Sequence, residues 1–261
     1  MCIRDRFKPE FLTGFQTSLD WYKIKLTDAI AQLTPQQLMD RCFAGDTSLC
    51  QYIIRSGDPV TGPIERIESL FINLAKQNIE GIDWEASYRR SFTLLGGGPE
   101  SASLRLFATR LLTNSQQSPG SAVDNLLGQV GGIGLPKWKA TGVLSYSNGP
   151  WSGSLIGRFM GKGILDRFLV ESPVALRNTA GALINTIDDN HVPSVFYTDL
   201  NVSFQPTNLE GLRVFGTITN LLDRDPPNSP ASIGRTGPGE ITVGAHDQLG
   251  RRYTAGFSYQ F

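Results

Sequence analysis

The last nine residues of this 261-residue chain, Tyr253-Thr254-Ala255-Gly256-Phe257-Ser258-Tyr259-Gln260-Phe261, alternate without a break. Tyr253, Ala255, Phe257, Tyr259 and Phe261 are apolar or aromatic, and the residues between them are small or polar. Only an extended strand repeats its side chains every second residue, so this ribbon has one apolar face and one polar face. The same period recurs upstream. Phe196, Thr198, Leu200, Val202 and Phe204 oppose Tyr197, Asp199, Asn201, Ser203 and Gln205. Trp151, Gly153, Leu155, Gly157 and Phe159 oppose Ser152, Ser154, Ile156, Arg158 and Met160. Trp138 to Ser147 and Ile82 to Arg89 follow the same rule. Strands are therefore predicted over 11–26, 82–89, 101–112, 138–147, 151–160, 196–205, 212–219 and 251–261. The stretch 64–78 is apolar without a clear period and is left open as a further strand.

Alternation alone does not say what covers the apolar face, because a soluble sheet also buries one side. Three features favour lipid. Aromatic residues gather at predicted strand ends (Trp138, Trp151, Phe196, Phe204, Tyr259, Phe261), as in the girdles of membrane barrels. The polar face carries Asp83, Glu85, Arg89, Arg158, Asp199 and Gln260, which suits a wet lumen. Sequential strands follow one another up and down, so a closed sheet is the natural product. The connections also alternate in length. Residues 147–150, 206–211 and 96–100 are short turns, whereas 28–62, 113–135, 161–195 and 222–249 are long and rich in Pro, Asn, Asp and Gly. Outer-membrane barrels show that asymmetry, with turns on the periplasmic side and loops outside. The expected fold is all-β: an antiparallel, up-and-down transmembrane β-barrel segment of about eight strands.

Charge and motif content exclude other classes. Lys+Arg and Asp+Glu are both 24, so the net charge is zero and no nucleic-acid partner is expected. No window reaches the roughly 18 apolar residues of a membrane helix. His191 and His246 sit alone in loops without nucleophile-elbow geometry, so no enzyme is expected. The runs Gly96-Gly97-Gly98-Pro99 and Gly131-Gly132-Ile133-Gly134 lack a strand-to-helix context and a following Lys-Ser/Thr pair; they read as turns rather than phosphate cradles. No cofactor and no metal site are predicted.

Residues 1–6, Met-Cys-Ile-Arg-Asp-Arg, lack the apolar run of a signal peptide and resemble a start translated from adapter sequence. They are set apart as a non-native start, and the rest reads as a piece of a longer precursor. Cys42 and Cys50 remain, in Cys-Phe-Ala-Gly-Asp-Thr-Ser-Leu-Cys. The intervening Gly45, Asp46 and Ser48 allow the chain to turn back and join the sulfurs, which would imply an oxidising compartment. Two unrelated thiols are the other reading. Just before them, Thr34-Pro35-Gln36-Gln37 followed by Leu38, Met39 and Cys42 predicts a short helix with Thr34 as its N-cap.

Several segments together resemble TonB-dependent outer-membrane receptors. Asn220-Leu221-Leu222-Asp223-Arg224-Asp225-Pro226-Pro227 is similar to their "N-L-x-D-x-x-P" element, and Gly250 to Phe261 to their closing strand "G-R-x-Y-x-x-G-x-x-Y-x-F". Gly81-Ile82-Asp83-Trp84-Glu85 and Asp20-Trp21-Tyr22-Lys23-Ile24 are similar to two further strands of that family, the second with Trp21 in place of Tyr. Cys42 and Cys50 fall where many members place a loop cysteine pair. The resemblance runs from about Phe7 to Phe261.

It implies a bacterial outer-membrane location and a part in TonB-dependent uptake of a scarce ligand, such as a ferric siderophore, cobalamin or an oligosaccharide. Members are 22-stranded barrels with a plugged lumen, so residues 7–261 correspond to the C-terminal part of the barrel without its plug. The implied partners are outer-membrane lipid, the missing plug and strands of the same protein, the TonB complex through that plug, and the outer-membrane assembly machinery. Phe257, Tyr259 and Phe261 match the terminal signal which that machinery reads.

Ligand contact is expected from loops 161–195 and 222–249 and from the lumen residues Arg158, Asp199 and Asn201. In the first loop, Asp188, Asp189 and His191 gather two carboxylates and an imidazole, which can touch a cation or stand as an ordinary solvated loop. A passive eight-stranded barrel that closes on itself is the alternative function. A secreted β-rich binding module is a third, marked by solubility without detergent. As a fragment the sheet would leave edges at its first and last strands and aggregate when made alone.

Overall fold

A computed structural model describes residues 2–43, 45–58, 61–69, 71–94, 99–117, 123–130, 135–167, 169–179, 181, 183–184, 186–227 and 246–260. The eight alternating segments and Cys2–Phe7 become the nine consecutive strands of one sheet, with the short Asp124–Asn125 paired beside one of them: β1 (Cys2–Phe7), β2 (Phe15–Gln32), β3 (Phe71–Phe92), β4 (Glu100–Gln117), β5 (Trp138–Asn148), β6 (Trp151–Met160), β7 (Val195–Phe204), β8 (Leu212–Thr219) and β9 (Arg252–Tyr259). Each lies beside the next in chain order, so the sheet is an up-and-down meander. Among the described residues β1 and β9 each have one neighbour, so the barrel is not closed.

The eight expected strands are all present, with shifted limits. Residues 8–14 form a turn, so β2 starts at Phe15 rather than 11. The open stretch 64–78 divides: Ile64–Ile67 pairs with Ile53–Arg55 in a small hairpin, and the chain from Phe71 joins β3. Cys2–Phe7, set apart in the sequence, pairs in register with β2 from Cys2↔Tyr22 to Phe7↔Thr17. The Gly runs at 96–98 and 131–134 lie outside the described residues, as does most of the loop 222–249.

The chain divides into two units. The first comprises Met1–Lys23, Glu80–Leu112 and Leu126–Phe261. Its registers sort the side chains into rows. Leu104, Leu144, Leu155 and Leu200 are direct neighbours across four strands, and Ala108, Ala140, Phe159 and Phe196 form the next row but one. These belong to the apolar face. On the other face Ser147, Ser152 and Ser203 align, as do Ser145, Ser154 and Asn201. A soluble sheet would bury the apolar rows. Here they are open: Leu144, Leu155, Phe196, Val202 and Val214 are all exposed, and Phe257 is 76% exposed. Tyr197 and Ser203, on the polar face, are 2% and 6% exposed. The pattern is inside-out relative to a water-soluble sandwich and fits a wall with hydrocarbon outside.

In the second unit, Ile24–Ile79 and Thr113–Asn125, the predicted helix forms as α1 (Pro35–Phe43), followed by α2 (Thr47–Cys50). Cys42 on α1 and Cys50 on α2 are joined by a disulfide. Leu33, Leu38 and Leu49 pack beneath, with Tyr52 and Ile67 against them. Neither helix is long enough to cross a membrane.

Candidate functional site

The polar face of the first unit carries a series of side-chain hydrogen bonds between strands, because period two places every second residue on it and the registers bring short polar side chains opposite one another. Ser101 and Ser147 hydroxyls are 2.9 Å apart, and Ser152 and Ser203 are 2.8 Å apart. Thr217 Oγ1 donates to Asn201 Oδ1 at 2.8 Å, and Asn201 Nδ2 donates to Ser154 Oγ at 3.4 Å. Thr109 Oγ1 donates to Asp83 at 2.7 Å, and Arg105 reaches Glu85 at 3.5 Å. The serine pairs, Asn201 and Thr217 border a cavity of about 590 Å³ near the short-turn end, where Arg89 and Arg213 add positive charge to the hydroxyls. Such a surface offers donors to polar or anionic groups.

Higher on the same face, Arg158 Nη2 donates to Asp199 at 3.1 Å and its guanidinium lies 5.6 Å from the Tyr197 ring centroid. Asp199 also accepts the backbone N–H of Asn220 at 2.9 Å. Asn220 itself is fully buried. Its side chain accepts the Arg224 N–H at 2.8 Å and donates to the Arg224 carbonyl at 3.0 Å, closing a turn in which Asn220 and Asp223 both have positive φ. Asp223 in turn accepts the Arg251 N–H at 2.9 Å. The Asn-Leu-Leu-Asp element is therefore a knot that ties β7, β8 and β9 at their long-loop ends. Asn suits it because it tolerates left-handed backbone and bonds its own neighbours.

The loop after β6 folds on Val130, Leu165 and Val192, with Leu169 and Ile187 packed against them. Asn190 is buried and braces Asp166 in both directions, donating to its carbonyl at 2.7 Å and accepting its N–H at 3.0 Å. Parallel pairing of Val170–Glu171 with Thr186–Ile187 sets Glu171 beside Ile187, close in the chain to Asp189 and His191. There His191 Nδ1 lies 3.2 Å from Asp189 and 3.5 Å from Glu171, and all three side chains are exposed. The His191 backbone N–H, and after it the imidazole, hold the Asp189 carboxyl below the usual carboxylate range. Their ligand atoms lie within 4.8 Å of one another, a spacing that admits a cation. Burial pushes the His246 imidazole down, away from this cluster in sequence.

The structure thus brings together Asp189 with His191, and Arg158 with Asp199; Asn201 lies two positions further along the same strand face. Asp188 is not among the three clustered ligands. Glu171 was missed, and nothing local in the sequence marks it, since a parallel pairing within the loop delivers it. The serine rows were readable as polar positions, although their mutual contacts depend on register. Of the terminal aromatics, Phe257 and Tyr259 lie exposed on the apolar face of β9; Phe261 lies outside the described residues.

Compared with known proteins, the chain matches the family described as "TonB dependent receptor-like, beta-barrel" over residues 6–221. No curated protein matches it in sequence. Its fold is similar to that of the ferric enterobactin receptor PfeA of Pseudomonas aeruginosa (G324V mutant; 12% identity, TM-score 0.56), covering 100% of this chain and 31% of that one. The siderophore receptor PirA of Acinetobacter baumannii is similar at 15% identity and TM-score 0.53, with 100% and 32% covered. The FrpB iron transporter of Neisseria meningitidis is similar at 13% identity and TM-score 0.53, with 100% and 30% covered. The chain spans about a third of the length of these solved structures.

Proposed function

This chain belongs to the TonB-dependent receptor β-barrel family of the bacterial outer membrane, and from that premise we propose that it is the C-terminal part of the barrel wall of a ligand-uptake receptor. The family's receptors are transporters rather than enzymes. In this reading the ligand is of the ferric siderophore, cobalamin or oligosaccharide class. It meets the outer loops first, at Asp188, Asp189 and His191, and then the wall at Arg158, Asp199 and Asn201. A plug and further strands of the same protein complete the lumen, and the TonB complex acts through that plug. The hydroxyl-lined cavity beside Arg89 and Arg213 is the surface the plug would rest on. Phe257, Tyr259 and Phe261 serve as the signal to the assembly machinery.

The observation that carries the reading is the inverted wall: an open apolar face and a hydrogen-bonded polar face, within the family match over residues 6–221. The alternative of a self-closing eight-stranded barrel gains no support from a sheet in which, among the described residues, β1 and β9 are not paired with each other. The test is uptake. Cells lacking the gene that encodes this chain should lose accumulation of one labelled iron chelate, cobalamin or oligosaccharide, and should regain it with the intact gene. Unchanged accumulation of all three classes would refute the proposal.

A further inference from the structure

In the loop between β6 and β7, side chains alternate between inside and outside over a short stretch. Asn190 and Val192 are buried, and Asp189 and His191, which alternate with them, are exposed on one side. Two pairings fix this stretch. His191–Val192 pairs antiparallel with Gly163–Ile164, and Thr186–Ile187 pairs parallel with Val170–Glu171. Val192 and Ile187 both pack into the small core built on Val130 and Leu165. The Asn190 side chain ties both backbone groups of Asp166. The backbone that carries Glu171, Asp189 and His191 is therefore set by paired and packed segments, which position side chains more precisely than an unsupported loop.

On that scaffold the His191 Nδ1 lies 3.2 Å from an Asp189 carboxylate oxygen and 3.5 Å from one of Glu171. A zinc ion holds nitrogen and oxygen ligands at about 2.0–2.2 Å, which at the tetrahedral angle sets neighbouring ligand atoms about 3.3–3.6 Å apart. Both separations match that edge. Magnesium would draw octahedral ligands in to about 3.0 Å, and calcium takes oxygen ligands rather than imidazole. The ligand atoms of all three residues lie within 4.8 Å of one another, and the long, half-exposed Glu171 side chain has the torsional freedom to close the remaining edge. Two carboxylates this close repel, and a dication offsets that repulsion more fully than the single charge of an imidazolium. The His191 backbone N–H orients the Asp189 carboxylate at 2.8 Å, the outer support that ligating carboxylates receive in metal sites.

We infer that Glu171, Asp189 and His191 form a binding site for one zinc-class divalent cation, held by one imidazole nitrogen and two carboxylates. The cation joins the Val170–Glu171 segment to the stretch 189–191 and so clips together two parts of the loop that are distant in sequence. Three protein ligands leave the fourth tetrahedral position to water or to an incoming donor, as in zinc sites that exchange ligands. The donor set is free of thiolate, which suits zinc and cobalt and disfavours soft monovalent ions. The inference rests on the geometry of this loop and needs neither the uptake reading nor any particular chelate.

Cobalt(II), which takes the same four-coordinate geometry and absorbs visible light strongly in it, is the probe. The outer-membrane protein carrying this chain, stripped with chelator in detergent and titrated with cobalt(II), should gain intense visible bands that saturate, and zinc should bleach them. Glu171→Gln and His191→Ala should each weaken that binding by more than about tenfold. Glu210→Gln, in the exposed turn 206–211, should leave it unchanged. Should one of the two ligand variants fail to assemble, as read from heat-modifiable migration, the other decides. Absence of saturable bands, bands that persist in an assembled ligand variant, the weak bands of a six-coordinate ion, or equal competition by calcium would overturn the inference. The titration is read on purified protein, so its failure is distinguishable from a failure of chelate, cobalamin or oligosaccharide accumulation in cells.

Discussion

At the scale of single residues, the most constrained position is Asn220. It is fully buried, satisfies the Arg224 N–H and carbonyl, and holds a backbone of φ 53°. Replacing it with Ala strips the part-buried Arg224 N–H and carbonyl of their side-chain partner and places a Cβ-bearing residue without a local hydrogen bond in left-handed space. The expected loss is about 3 kcal/mol, with Asn220→Gly losing about 1 kcal/mol less because the backbone term disappears. Denaturant titration of the folded protein in micelles checks the order; equal loss for both variants would contradict it. Asp189 carries a pH dependence. Its pKa is lowered in the folded loop by the His191 N–H that it accepts at 2.8 Å. The contact is thus fully present above the ordinary carboxylate value of about 3.9 and fades as pH falls through the lowered one. Amide exchange at His191 should slow above that range and lose protection below it, and Asp189→Asn should make the protection flat with pH. Asn220 was visible in the sequence as part of a family-like element, but its burial was not, because the Asp199 that accepts its N–H lies on a different strand.

At the scale of elements, strands are legible where one face meets hydrocarbon and harder to bound where both faces meet water. β5, β6, β7 and β8 were read to within a residue of their limits, since each crosses the apolar band and alternates throughout. β2, β3 and β4 run past that band, to Gln32, from Phe71 and to Gln117, and there the alternation stops constraining the sequence. The small hairpin of Ile53–Arg55 with Ile64–Ile67 and the pairing that delivers Glu171 escaped notice for the same reason. The helical element was legible from Pro35 and its flanking residues, and Cys42 on α1 proves bonded to Cys50 on α2. On the chain-entropy account that short loop contributes about 2.5 kcal/mol to local stability. Cys42→Ser should therefore speed amide exchange and proteolysis across 33–55 while leaving the sheet of the first unit unchanged. A matching loss of protection in β5 to β8 would contradict a local role.

At the scale of the whole molecule, fold class and family were readable because period two is a local property repeated strand after strand. The candidate site was readable only in part: Arg158, Asp199 and Asn201 share a face by parity alone, while their partners depend on register. The account rests on which side of the wall touches hydrocarbon. Nitroxide labels placed singly along β6 and β7, in the bilayer-reconstituted outer-membrane protein carrying this chain, measure that directly through collisions with oxygen, which concentrates in lipid, and with a water-soluble nickel chelate. Labels at Leu155, Phe159, Phe196 and Val202 should be quenched by oxygen, and labels at Ser154, Arg158, Asp199 and Asn201 should not. Accessibility that fails to alternate, or that exposes Leu155 and Phe196 to the nickel chelate, would contradict a membrane wall.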